Sequence, residues 1–162
     1  MAQLLSTESS IQFISVKIVE NIKYKVLFLN VLCAQPTPLQ WEAFKTELTK
    51  SLTEINESKS QFAFLLDVRK LGFLSVTRVK EFISILRNFE KCIEDYAMCS
   101  TVIIEARAVK IICGLFLTFY KTKKPLHFLK NKELCVKKIN DYYNGNVSSQ
   151  EGIDYNDLEQ FE

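Results

Sequence analysis

The chain has 162 residues, 48% of them apolar and 25% charged, with a formal net charge of +2. That balance excludes a disordered or collagen-like chain. The length suits one domain large enough to hold its interior together without metal or disulfide. Five cysteines without a C-x-x-C pair, and a single histidine, His127, with no cysteine within six residues, argue against a zinc site.

Residues 1–10 are read as an N-terminal extension. It lacks a secretory hydrophobic region, so a cytoplasmic protein with reduced, buried thiols is expected. From 12 to 20 (QFISVKIVE) apolar and polar residues alternate imperfectly, which predicts a strand, and Asn21 marks a tight turn. A second strand over 23–33 (KYKVLFLNVLC) would complete a hairpin, with 26–29 deeply buried. Thr37, Pro38 and Gln40 then offer an N-cap, a first-turn proline and a capping-box partner. Trp41, Phe44, Leu48, Leu52 and Ile55 follow at helical spacing, and the helix should stop within 56–60.

The run FAFLLDV over 62–68 is almost unbroken in apolar character, the pattern of a central strand covered on both faces. Ser75 opens a second amphipathic helix carrying Val79, Phe82, Ile83, Leu86, Phe89 and Ile93. A short strand is expected over 100–106 and a third helix over 107–120. The latter includes the most hydrophobic run, 111–119, whose roughly nine residues fall short of the ~20 that a membrane span needs. An edge strand over 126–129 and a last helix over 132–143 complete the order β-β-α-β-α-β-α-β-α. The fold class expected is therefore α/β, an initial hairpin followed by a mostly parallel mixed sheet with helices packed against it. The domain occupies 11–143. Beyond it, 144–162 reads as a flexible acidic tail; its five acidic residues, removed from a net +2, leave the body at +7.

The stretch LLDVRKLGFLSVTRV over 65–79, within this element order, resembles the STAS family of sulfate-transporter and anti-sigma-factor antagonist domains and their small stand-alone relatives. Asp67 matches the family's strand-end Asp, and Ser75 falls on the serine that antagonist proteins have phosphorylated. Leu74 stands where the family has an acidic residue, and the family's glycine in the next turn is absent. The resemblance implies a non-catalytic regulatory or protein-interaction module, with Ser75, Asp67, Thr77 and Arg78 as its partner-binding or phospho-switch residues and a protein partner or homodimer. A small-molecule or lipid carrier, with an apolar pocket beside the third helix (Ile112, Leu115, Phe116, Phe119), is the alternative.

Each candidate residue also has a purely structural role. Ser75 suits an N-cap, worth about 1 kcal/mol. Asp67 and Glu105 end predicted strands on one rim, where two carboxylates could act as acid and base; Arg69 or Arg107 would instead neutralise them, and no enzyme is expected. His127 should be solvent-facing or packed under a helix, and Gly72 and Gly114 belong to no phosphate-binding pattern. Lys121, Lys123, Lys124 and Lys130 form a candidate basic surface. A solvated face suits it first, then contact with the acidic tail or peripheral contact with an anionic membrane, and nucleic acid least, because arginine forks are lacking. No cofactor or metal is expected.

Overall fold

The computed structural model describes residues 12–105, 116, 118–121 and 123–147, together with the backbone of 152 and 153. Strands β1 (Ile14–Glu20) and β2 (Lys25–Val31) form the antiparallel hairpin, with Glu20 opposite Lys25 and the turn closed by a hydrogen bond from Asn21 N to Tyr24 O. From β2 onward every pairing is parallel, through β3 (Phe62–Asp67), β4 (Ala97–Ile103), β5 (Pro125–Leu129) and the two-residue β6 (Gly152–Ile153). The strands lie side by side in chain order. β3 is central, as its unbroken apolar run requires.

Helix α1 (Pro38–Ser58) starts with the reciprocal capping box of Thr37 and Gln40 and ends on Lys59, which adopts a left-handed conformation at φ 51°. The second amphipathic segment is two helices, α2 (Val76–Asn88) and α3 (Glu90–Tyr96), because Phe89 leaves helical geometry at φ −110°, ψ 21°. β4 begins directly after α3, three residues before the strand the sequence suggests. Ala97, Met98 and Cys99 lack the β-branching that marks 101–104. α4 (Lys132–Tyr143) has the predicted bounds, with Asn131 as its N-cap.

Strand alternation sends side chains to two cores. On one face Leu27, Leu29, Phe62 and Phe64 meet Trp41, Phe44, Leu48, Leu52 and Ile55 of α1 and Leu86 and Ile93 of α2 and α3. On the other, Ala63, Leu65, Cys99, Ile103 and Leu129 meet Cys135 and Ile139 of α4. β5, expected at the edge, carries β6 on its outer side through Pro125 and Leu126. Of the expected third helix only Phe116 and Thr118 to Tyr120 are described, and Phe116, Thr118 and Phe119 are helical. Arg107, Ile112, Cys113, Gly114 and Leu115, the N-terminal extension and most of the acidic tail lie outside the described residues. No described helix is long and apolar enough to cross a membrane.

Candidate interaction rim and apolar cavity

The parallel strands β2, β3 and β4 end on one rim, and the loops leaving them are tied together. Gly72 N donates to Ala34 O (2.9 Å), joining the β3–α2 loop to the β2–α1 loop. Arg78 reaches back from the first turn of α2 to donate to Pro36 O (3.2 Å), its guanidinium 5.8 Å from the Trp41 ring. Gly72 suits this approach, since a Cβ there would stand tightly at 3.0 Å from Ala34 Cβ and 3.2 Å from its carbonyl oxygen. On the third side, Val68 N donates to Ile103 O (3.1 Å).

Ser75 caps α2: its Oγ accepts from Arg78 N (3.3 Å). Thr77 and Val76 are exposed on the same first turn. Asp67 does not join this group. Among the described residues its carboxylate accepts only from Arg69, from the backbone N–H (3.2 Å), Nε (3.0 Å) and Nη2 (2.7 Å). Burial pushes the Asp67 carboxyl up, but the Arg69 hydrogen bonds outweigh it and hold the group below its ordinary value of 3.8. Glu105 lies two residues past β4 and adds to the field that raises Arg69. Arg69 thus pairs with Asp67 and also feels the charge of Glu105.

Eight large apolar side chains are exposed among the described residues, and four belong to this rim: Leu32, Leu39 (84%), Phe73 (67%) and Val76 (47%). Sequence reasoning passed over them. Leu39 was legible, since it precedes the buried stripe of α1 at the wrong spacing to join it. Phe73 was not, because an apolar loop residue is as readily buried as exposed.

His127 is fully buried and packed under a helix, with Nε2 2.7 Å from the Tyr142 hydroxyl of α4. On the same side of the sheet, Thr101 Oγ1 donates to Phe64 O (3.0 Å). Cys92, Cys99 and Cys135 are buried thiols and Cys33 is half-buried. Burial, reinforced by Cys135, pushes Cys99 up to about 12, so it carries no thiolate at neutral pH. Among the described residues no group of three His, Cys, Asp or Glu is arranged to hold a metal ion.

On the face covered by α1, α2 and α3 the packing leaves a cavity of about 210 Å³. Phe64, Leu66, Val102, Leu126 and Phe128 form its sheet wall. Val79, Phe82, Leu86, Phe116 and Tyr120 lie opposite, and Leu71 and Leu74 of the β3–α2 loop close one end. Exposed Glu90, Glu94, Lys121 and Lys123, with half-buried Lys124, mark its open end. Lys123 bridges Glu90 (3.4 Å) and Glu94 (2.5 Å). The glutamates become part of the site because α3 turns away at Phe89. Lys121, Lys123 and Lys124 precede β5 whereas Lys130 follows it, so the strand holds these lysines at opposite ends of the sheet. No protein-family model, curated protein or solved structure matches the chain at a significant level.

Proposed function

We propose that this domain is a STAS-like, non-catalytic interaction module that engages a protein partner, or a second copy of itself, through the rim around Ser75. The observation that carries the reading is the exposure of Leu32, Leu39, Phe73 and Val76 on loops and helix starts that are hydrogen-bonded to one another. Exposed apolar side chains scattered singly need no explanation, but a group on a preorganised surface suits association. Ser75 sits among them at the start of a 13-residue helix. A phosphate there would place nearly two negative charges against helix amides that favour anions. It would leave the fold intact while changing the charge of the docking surface.

The test compares wild type with Phe73→Asp, Ser75→Asp and Ser75→Ala, first in sedimentation for self-association and then in capture of a partner from source lysate. Phe73→Asp should abolish the association at unchanged thermal stability, and Ser75→Asp should weaken it. Ser75→Ala should cost about 1 kcal/mol of stability from the lost cap and leave association intact. Association unaffected by Phe73→Asp would falsify the rim as the docking surface.

A further inference from the structure

The cavity has an apolar interior and a charged opening, and that asymmetry bears on what it can bind. Apart from Ser100, the described sheet wall is hydrocarbon and aromatic. Water finds few partners in such a space, whereas an apolar body gains by leaving solvent. A cavity of about 150 Å³ lined by Leu, Ile and Phe takes benzene. On that scale the 210 Å³ found here takes a body of about eight carbons.

At the opening, Lys123 holds both Glu90 and Glu94, and its hydrogen bond to Glu94 keeps it above its ordinary range and charged. Lys121 and Lys124 make no ion pair among the described residues, so the described residues of the mouth carry a net positive charge. We infer that the cavity is a binding site for an anionic amphiphile, an apolar body of about eight carbons bearing a single carboxylate or comparable anion. The body lies against Phe64, Val102 and Phe128, and the anionic head sits at Lys121 and Lys124.

The probes are octanoate and its neutral counterpart octanol, titrated calorimetrically into the full chain, with methyl chemical shifts of Val102 and Leu86 followed on the wild type. Both probes should bind saturably at one site and shift those methyls, octanoate more tightly. Replacing Lys121 and Lys124 together by Gln should weaken octanoate about fivefold and leave octanol unchanged. Val102→Phe should fill the cavity and remove both probes. Because an added ring can strain a packed core, Ser100→Leu on the same wall serves as a second filler, and circular dichroism melts identify which filler is folded. The inference is overturned if neither probe binds the wild type, if the methyls stay unshifted, or if a folded filler binds like wild type. It is overturned equally if the lysine replacements affect octanoate and octanol alike.

Discussion

Asp67 shows how one local contact converts a residue with catalytic chemistry into a structural one. Its carboxylate is spent on the Arg69 backbone and guanidinium, which depresses its protonation in the folded chain. A depressed carboxyl contributes stability that is fully present above the unfolded value and is lost as pH falls through the folded one. Arg69 is half exposed, so the contribution is at most about 1 kcal/mol. Urea melts of Asp67→Asn should therefore show a small loss at neutral pH that vanishes in acid, below the carboxylate range. A deficit constant across pH would mean that the carboxylate's charge contributes nothing. The thiols offer a second check at this scale. In a Cys113→Ser background, a thiol reagent at neutral pH should label Cys33 in the folded chain, while Cys92, Cys99 and Cys135 react only after denaturant is added. Rapid native labelling of Cys99 would contradict its burial.

At the scale of elements, the rim depends on two loops held closer than most side chains permit. Gly72→Ala would press a methyl against Ala34 and its carbonyl, so Ala34 must give by a few tenths of an ångström. The expected result is a loss of about 1 kcal/mol by the measure of a modest overpacking, together with weaker partner capture than any stability loss explains. Helix α1 ends less comfortably. Lys59 occupies the left-handed region at φ 51°, which glycine adopts without steric cost. Lys59→Gly should therefore raise stability by about 1 kcal/mol, read as a higher denaturation midpoint at unchanged m-value. The capping box, the stripe of α1 and the bounds of α4 were all legible, because each depends on contacts within a few residues. The break at Phe89 was not. Phe89 and Ile93 continue the apolar period of α2, and only their placement over the sheet shows that the chain turns there.

Across the whole molecule, the outer edge of the sheet is where charge and topology meet. β6 pairs with Pro125 and Leu126, close in sequence to the lysines at the cavity mouth, and it lies within the acidic C-terminal region. Truncation after Asn146 would remove both the covering strand and the five acidic residues. Elution from a cation exchanger should then require more salt, since a body of net +7 replaces one of +2. Amide exchange should quicken along 126–129 and stay unchanged in β3, which is paired on both sides. Equal exchange along 126–129 would mean that the β5–β6 pairing contributes no protection.

The sequence by itself determined the α/β class, the leading hairpin, the central strand within 62–68 and the caps at Thr37 and Ser75. Each of these follows from the period of apolar residues or from hydrogen bonds spanning three or four positions. It also placed Asp67 and Ser75 on the loop that the STAS resemblance singles out. The tertiary structure decided the rest. It tied Asp67 to Arg69 and apart from Ser75, gathered Leu39, Phe73 and Val76 onto one rim, and buried His127 under Tyr142. It also left a cavity between the sheet and three chain segments. Volume left unfilled between elements distant in the chain has no local pattern, so no periodicity within a single segment can announce it.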